Sequence, residues 1–216
     1  MNLTLLGLPG AGKGTQALKL CQDYSIPHIA TGDIIRSLIE KRTKLGQKIE
    51  KYISEAKYIP DSDAILILKD CLSQSNISSG FVLDGYPRNL YQAEVLSDIL
   101  EPFGKDLDLA FYIRVEPEDL IKRVTGRRVC IACGATYHIE YNPPIKKYFC
   151  DFCNQNLIQR ADDQESAMRK RIKVHKKEID QLIIYYQNQG ILRTVMGKNI
   201  DEIYGKIKKA IEVELV

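Results

Sequence analysis

A glycine-rich loop near the start of the chain, GLPGAGKGT at residues 7–15, is the most informative stretch of the sequence. It follows an apolar run at residues 3–6 and precedes a segment of helical pattern at residues 16–24, which is the strand–loop–helix context of a P-loop. Glycines allow a tight turn whose N–H groups form an anion site with the positive end of the next helix. Lys13 adds a positive charge for outer phosphate groups. A purely structural turn is the alternative, and the lysine and both flanking elements disfavour it.

Length and composition predict one folded domain with insertions. The 216 residues can bury a sizeable core, and 44% hydrophobic with 27% charged residues is close to the average for soluble proteins. We find no apolar run of about 18 residues and no signal peptide, so we expect a cytoplasmic protein without a membrane partner. We also expect a monomer. The net charge of +3 is too small to indicate a nucleic-acid partner.

Short apolar runs alternate with helical segments along the chain. The runs lie at residues 3–6, 81–83, 110–115 and 192–195. Parallel strands need crossover connections, which are usually helices, so this alternation predicts an α/β fold with a parallel sheet flanked by helices. Residues 164–189 and 200–213 are predicted to be the last two helices.

Two segments interrupt the alternation and are interpreted as insertions. Residues 30–59 open with Thr31-Gly32-Asp33, where Thr31 or Asp33 can cap a helix, and continue as amphipathic helical sequence. Residues 126–163 hold two cysteine pairs, two adjacent prolines and short β-prone runs. We therefore predict a core of residues 1–29, 60–125 and 164–216, a helical insertion at 30–59 and a metal-containing lobe at 126–163.

A carboxylate follows the apolar run at residues 81–83. Ser or Thr usually follows the P-loop lysine and binds magnesium, but here Gly14 intervenes and Thr15 comes next. Asp84 ends a predicted strand, a common position for the carboxylate that holds magnesium or its waters in P-loop enzymes. We predict that Asp84 lies on the magnesium side of the site. An ordinary turn residue is the alternative.

Arginines accumulate beside these motifs and at the boundaries of the insertions. A single arginine is usually a solvated residue or an ion-pair partner. Phosphoryl transfer, however, needs several converging cations and a site that excludes water. The candidate residues are Arg36, Arg88, Arg123, Arg127, Arg160 and Arg171.

Four of the six cysteines have the spacing of a metal site. Cys130 and Cys133 form one C-x2-C pair, Cys150 and Cys153 form another, and 16 residues separate the pairs. Four thiolates fill a tetrahedral zinc site and leave no position for water, so the predicted zinc is structural. Disulfides or free thiols are the alternative, and a reducing compartment disfavours disulfides.

Taken together, these motifs resemble those of the adenylate kinases, in the long form whose lid carries zinc. The resemblance covers the chain essentially end to end, through residues 7–15, Thr31-Gly-Asp33, Asp84-Gly-Tyr-Pro-Arg88, Gly126-Arg-Arg128 and Arg160-Ala-Asp-Asp163. It implies a P-loop core, a flap that binds a nucleoside monophosphate and a lid that closes over ATP. It also implies magnesium-dependent, reversible transfer of a phosphoryl group from ATP to AMP, giving two ADP.

The resemblance further implies roles for individual residues. For the ATP side these are Gly10, Ala11, Gly12, Lys13, Gly14, Thr15, Arg123, Arg127, Thr136, Tyr137 and Asn199. For the AMP side they are Thr31, Arg36, Lys57, Tyr58, Ile59, Gly85, Tyr86, Pro87, Arg88, Gln92, Arg160 and Arg171. The residues implied in transfer itself, acting by position and charge, are Lys13, Asp84, Arg88, Arg123, Arg160 and Arg171.

Two other interpretations stay open. A kinase of the same mechanism could accept a pyrimidine monophosphate or use GTP as donor, because only the resemblance connects Thr31 and Gln92 with adenine. The other is a P-loop ATPase that carries a zinc-ribbon nucleic-acid module. The small net charge disfavours it, since nucleic-acid affinity rests largely on contacts with phosphate.

Overall fold

The computed structural model describes residues 1–55, 57–160 and 163–215, so Ala161 and Asp162 of the motif ending at Asp163 lie outside it. The strands are β1 (Asn2–Leu6), β2 (His28–Ala30), β3 (Phe81–Asp84), β4 (Leu109–Ile113), β5 (Arg127–Cys130), β6 (Thr136–His138), β7 (Leu157–Ile158) and β8 (Leu192–Val195). The helices are α1 (Lys13–Tyr24), α2 (Thr31–Glu40), α3 (Lys44–Ser54), α4 (Asp61–Gln74), α5 (Leu90–Glu94), α6 (Leu96–Leu100), α7 (Pro117–Thr125), α8 (Glu165–Asn188) and α9 (Ile200–Glu214).

Five strands form a parallel sheet in the order β2-β3-β1-β4-β8. The central strand β1 places Leu5 beside Asp84 of β3 on one side and beside Phe111 of β4 on the other. All residues of β1 are buried, as expected for a strand covered on both faces. The α/β fold class is therefore confirmed, and the carboxyl ends of β1 and β3 meet at one edge of the sheet.

The two faces of this sheet pack into two hydrophobic clusters. Phe81 and Leu83 of β3 belong to one cluster and Val82 to the other, because successive side chains of a strand point to opposite faces. Helices α1, α7, α8 and α9 supply the cluster that contains Val82. Helices α4 and α6 supply the other cluster. This double coverage makes the sheet a rigid base for the loops that follow its strands.

The segment at residues 30–59 contains β2's last residue and the helices α2 and α3. Ile35 of α2 and Ile49 of α3 are buried in the cluster that contains Phe81. The prediction that Thr31 or Asp33 caps a helix is wrong, because α2 begins at Thr31 and no side chain caps it. The Thr31 hydroxyl instead donates to the Asp84 carbonyl at 3.3 Å, which ties the start of α2 to the end of β3.

The cysteine-containing segment forms a small antiparallel sheet in which β5 pairs with β6 and β7. Its buried cluster comprises Cys130, Tyr137, Cys150 and Leu157. At the start of the lobe, the Gly126 backbone packs closely against the His138 ring. A Cβ on Gly126 would lie 2.2 Å from Nε2 of His138, so no side chain fits there. With so few buried apolar side chains, the lobe depends on additional constraints for its order.

Most predicted element bounds agree with the structure to within one residue, and two differ by more. Helix α1 begins at Lys13, three residues before the predicted start, because the P-loop leads directly into its first turn. Strand β4 ends at Ile113, whereas the apolar run continues to Val115. Among the described helices, none combines the length and apolar character needed to cross a membrane.

Candidate active site

The glycine-rich loop joins β1 to α1 at the carboxyl edge of the sheet. Gly10 has a φ of 86°, and a Cβ there would lie 2.4 Å from Cγ2 of Val124, so the loop approaches α7 too closely for a side chain. Lys13 Nζ donates to the carbonyls of Gly7 at 2.8 Å and Leu8 at 3.3 Å. The ammonium group is therefore held over the loop, beside a helix N-terminus that favours anions.

Lys13 lies in a crowded electrostatic environment. Burial lowers its pKa to about 8; the Asp84 carboxylate opposes this shift, while the charges of Arg88, Arg171 and Arg127 add to it. Burial and neighbouring like charges both disfavour the charged ammonium. The negative charge of a bound phosphate would offset the repulsion from the neighbouring positive charges. The site therefore favours binding of an anion.

The Asp84 carboxylate lies beside Gly14, the residue that follows the P-loop lysine. A Cβ on Gly14 would lie 3.1 Å from Asp84 Oδ2, so the carboxylate occupies space that a larger residue at position 14 would need. Burial raises the pKa of Asp84, but the hydrogen bond with His28 and the charges of Lys13, His28 and Arg88 lower it below its usual value. An ionised carboxylate is a hard oxygen donor, the ligand type that magnesium prefers.

A chain of hydrogen bonds holds Arg88 in place. Its Nε donates to the Gly85 carbonyl at 2.7 Å, and its backbone N–H donates to Gln92 Oε1 at 2.8 Å. Gln92 Nε2 in turn donates to Asp61 Oδ1 at 2.8 Å. Gln92 is almost fully buried, and Asp61 fixes the orientation of its amide.

A small pocket opens between the helical insertion and the segment after β3. Its lining comprises Thr31, Ile35, Tyr58, Ile59, Ala64, Ile67, Gly85, Tyr86, Arg88 and Gln92. Most of the residues predicted for the AMP side therefore meet at one place. The Lys57 side chain is exposed and paired with Glu55 at 2.6 Å. A mainly apolar wall with a few convergent polar groups is typical of a small-molecule site.

A second cleft adjoins this pocket and reaches the P-loop. It is lined by Leu5, Leu6, Gly7, Pro9, Lys13, Tyr58, Gly85, Pro87, Arg88, Arg171, His175 and Ile179. Tyr58, Gly85 and Arg88 line both the pocket and the cleft. The P-loop lysine and the pocket therefore share one continuous concave surface.

Arg36 joins the cationic side of this surface. A Cβ on Gly32 would lie 3.4 Å from Arg36 Nη1 and 3.7 Å from Arg88 Nη2, so the two guanidinium groups approach the same point. Arg36 also pairs with Asp33, three residues earlier on α2. This exposed pair leaves the guanidinium beside Gly32, close to Arg88.

The arginines at the boundaries of the lobe are arranged differently. Arg127 forms a two-pronged ion pair with the fully buried Asp163, with Nε at 2.9 Å from Oδ2, and its charge also acts on Lys13. Arg123 lies in the last turn of α7, and Arg160 follows β7. Among the described residues, Arg123 and Arg160 are not part of the cleft lining.

The residues predicted to border the ATP base lie outside the cleft. Thr136 is exposed on β6, whereas the Tyr137 side chain is buried in the lobe, where its hydroxyl accepts from the Asp151 N–H at 2.8 Å. Asn199 caps α9, accepting from the Glu202 N–H at 2.9 Å. The side chains of Tyr137 and Asn199 therefore have structural partners.

The four paired cysteines converge in the lobe. Their Sγ atoms all lie within 4.8 Å of one another, with Cys130 to Cys153 at 3.3 Å and Cys133 to Cys150 at 3.5 Å. These separations exceed the roughly 2.05 Å of a disulfide. They approach the roughly 3.8 Å expected between thiolates at about 2.3 Å from a tetrahedral zinc ion. The cluster predicted from the spacing is confirmed, and its donors fit a metal ion.

Three polar residues of the site were missed by the sequence analysis. His28 pairs with Asp84 at 3.4 Å, Asp61 orients Gln92, and His175 lines the cleft. His175 follows Arg171 by four residues, so helical periodicity would have placed both on one face of α8. No comparable signal points to His28 or Asp61, because their partners are distant in sequence.

Comparison with known proteins agrees with this geometry. The family model for adenylate kinase matches residues 5–191 of the chain. The chain is 47% identical over 208 residues to an adenylate kinase of Clostridium botulinum, covering 96% of each protein. It is 47% identical over 212 residues to an adenylate kinase of Acetivibrio thermocellus, covering 98% of each. The P-loop sheet, the shared cleft and these similarities along nearly the whole chain lead to one conclusion: it belongs to the adenylate kinase family.

Proposed function

We propose that this protein transfers the γ-phosphoryl group of ATP to AMP, reversibly, giving two ADP. The observation that carries the proposal is the continuous surface formed by the cleft and the pocket, because Lys13 lines one end and Gln92 the other. A donor held at the P-loop would face an acceptor held in the pocket. That arrangement suits direct transfer between two bound nucleotides.

The proposed ATP side combines the P-loop with the lobe. Loop N–H groups and Lys13 would hold the phosphates, and Arg123 and Arg127 would reach them from the hinge of the lobe when the lobe closes. Thr136, Tyr137 and Asn199 are proposed to border the ATP base. The complete proposed set is Gly10, Ala11, Gly12, Lys13, Gly14, Thr15, Arg123, Arg127, Thr136, Tyr137 and Asn199.

The proposed AMP side is the pocket with its rim of arginines. Thr31, Gln92 and the backbone of residues 57–59 would accommodate the base and ribose. Arg36, Arg88, Arg160 and Arg171 would bind the phosphate, since planar guanidinium groups can donate two parallel hydrogen bonds to phosphate oxygens.

The proposed chemistry is stabilisation of charge by preorganised groups. Negative charge spreads over the phosphate oxygens during transfer, and cations held by the fold stabilise it without reorganising. Lys13, Arg88, Arg123, Arg160 and Arg171 would supply these charges. Magnesium, when bound with ATP, would neutralise part of the phosphate charge, and Asp84 would hold the ion or its waters.

We further propose the three-part division predicted from the sequence. Residues 30–59 and 126–163 would close on a core of residues 1–29, 60–125 and 164–216, which would exclude water and prevent hydrolysis of ATP. Zinc bound by the four cysteines would order the lobe and take no part in transfer. The cytoplasmic location and the monomeric state stay predictions from the sequence.

A phosphoryl-transfer assay over a panel of nucleotides tests the proposal. With ATP as donor, AMP is expected to be the preferred acceptor among AMP, CMP, UMP and GMP, and ATP is expected to outperform GTP. Preference for a pyrimidine acceptor or for GTP would instead support the related kinase activities. Absence of transfer, together with salt-sensitive binding of an oligonucleotide, would support the nucleic-acid module.

A further inference from the structure

His175 is a buried polar residue that the mechanism above does not use. It lies on α8, lines the cleft with Lys13, Arg88 and Arg171, and is only 7% exposed. Within the described part of the chain, its Nε2 is buried and has no hydrogen-bond partner. A buried polar atom without a partner costs about 1–3 kcal/mol, so its presence at a concave site points to a ligand.

The imidazole ring is held firmly in place by a neighbour from another element. The Tyr58 ring stacks on it with a centroid separation of 4.2 Å and an interplanar angle of 15°. Tyr58 belongs to the segment between α3 and α4 and lines both the pocket and the cleft. The stack therefore connects α8 with the end of the helical insertion and orients the ring beside the pocket.

The surroundings of His175 are strongly cationic. Burial lowers its pKa to about 3, and the charges of Arg171, Arg88 and Lys13 add to this effect. The acidic groups nearby act on other members of the site, Asp84 on Lys13 and Glu178 on Tyr58. The ring is therefore neutral in the free protein, and an anion among the three cations would favour its protonated form.

We propose that His175 is a further phosphate-binding residue, which becomes an imidazolium on nucleotide binding and donates its Nε2–H to an oxygen of the acceptor monophosphate. The proton comes from solvent, and no covalent bond changes. We assign His175 to the phosphate of AMP and not to the phosphates of ATP for two reasons. His175 is stacked on Tyr58, which lines the pocket, and it lies one helical turn beyond Arg171. This inference rests on the proposed function of the cleft.

Three proteins test the inference: the wild type, His175→Phe and His175→Gln. Phenylalanine keeps an aromatic ring against Tyr58 but removes both nitrogens. Glutamine keeps a neutral donor near the position of Nε2 but cannot gain a proton. Binding of AMP and, separately, of ATP is measured by calorimetry at pH 7 in two buffers that differ in ionisation enthalpy, which gives affinity and proton uptake together. The second pKa of a phosphate monoester is near 6, so the nucleotide itself can release only about 0.1 proton at pH 7 with any of the three proteins.

The wild type is expected to take up more protons on AMP binding than either variant. Loss of a charge-assisted hydrogen bond should weaken AMP binding by His175→Phe by about tenfold, with a smaller loss for His175→Gln. ATP affinity should change little. The unliganded His175→Phe protein should melt at or above the wild-type temperature, because an unpaired buried polar atom has been removed.

Equal AMP affinity and equal proton uptake in all three proteins would overturn the inference and leave His175 a packing residue. Loss of ATP binding with AMP binding unchanged would overturn the assignment to the acceptor phosphate. Should His175→Phe fail to fold, His175→Gln decides the question through proton uptake. Turnover of AMP by the wild type distinguishes failure of the proposed function from failure of this inference. Absence of turnover contradicts the proposed function. Normal turnover, with AMP affinity and proton uptake unchanged in the variants, contradicts only the role of His175.

Discussion

Three cations, Lys13, Arg88 and Arg171, line one cleft of the free protein, with Asp84 as a nearby carboxylate. Burial and the repulsion between these cations disfavour the charged state of Lys13. Together they lower the pKa of Lys13 to about 8. A polyanionic ligand relieves this repulsion and benefits from the same charges. Relief of the repulsion among these cations therefore contributes favourably to the free energy of anion binding.

Replacement of this lysine is the most direct test at the residue scale. Lys13→Met is expected to reduce turnover by about 10² to 10³ or more, because it removes a preorganised charge from the phosphate site while keeping side-chain volume. Steady-state kinetics and thermal unfolding measure the loss and confirm the fold. Lys19→Met is the matched control, since Lys19 lies on the same helix and pairs with Asp201 at 2.6 Å. Near wild-type turnover by Lys13→Met would show that the loop is not the catalytic phosphate site.

Arg88 tests the acceptor side of the cleft. Arg88→Lys keeps the charge but cannot reproduce both the Nε bond to Gly85 and a two-pronged contact with phosphate. AMP affinity, measured by titration, is expected to fall at least tenfold, while ATP affinity changes little. Arg169→Lys serves as control because Arg169 pairs with Glu165 on an exposed face of α8. Loss of ATP affinity with AMP affinity retained would reverse the assignment of the two sides.

At the scale of elements, the cysteine lobe differs from the rest of the molecule. The parallel sheet has large hydrophobic clusters on both faces, whereas the lobe's own buried cluster contains two cysteines among its four members. Short strands with so little apolar burial do not hold a fixed shape without help. Coordination of a metal ion by the four converging thiolates would stabilise the lobe, because metal binding contributes directly to folding free energy.

Metal removal therefore has a specific expected outcome. The purified protein should contain about one zinc per chain, and chelation or Cys150→Ser should lower the melting temperature of the lobe. Activity at low temperature should partly survive, because Lys13 and Arg88 lie outside the lobe. Metal analysis with paired unfolding and activity curves measures this, and Cys21→Ala is the control outside the cluster. Complete loss of activity at low temperature with an ordered lobe would mean that the metal takes part in transfer.

At the scale of the whole molecule, the buried His175 connects the site with stability in acid. Burial lowers its folded-state pKa to about 3, below the usual value near 6.5. The unfolded chain therefore binds a proton that the folded chain does not, and this stability is complete above pH 6.5 and is lost as pH falls toward 3.

Acid titration of stability tests this linkage. Between pH 6.5 and about 4, His175 should contribute a loss of up to about 1.4 kcal/mol per pH unit to the free energy of unfolding. Denaturant unfolding of the wild type and of His175→Phe at several pH values measures it, and the variant should have the shallower dependence. Identical slopes would indicate that His175 titrates normally in the folded protein.

Short-range sequence patterns were sufficient to predict the P-loop, the cysteine cluster and the fold class. The P-loop at residues 7–15 and the cysteine pairs depend on fixed spacing, and the alternation of apolar runs with helical segments predicted the α/β class. These features are local, since glycine content, ligand spacing and periodicity act within a few residues. For the same reason the three-residue strand β2 was missed, because so short a run has no distinct period.

Contacts between distant segments were decided by the tertiary structure alone. Asp84 reaches the space beside Gly14 only because β3 lies next to β1 in the sheet, and Tyr58 meets His175 although 117 positions separate them in the chain. No local pattern encodes such pairs, because their proximity results from strand order and helix packing. The sequence alone therefore determined which chemical groups are present and which local elements carry them. Strand order and packing decided which of those groups meet in the cleft, since both depend on burial of the whole chain.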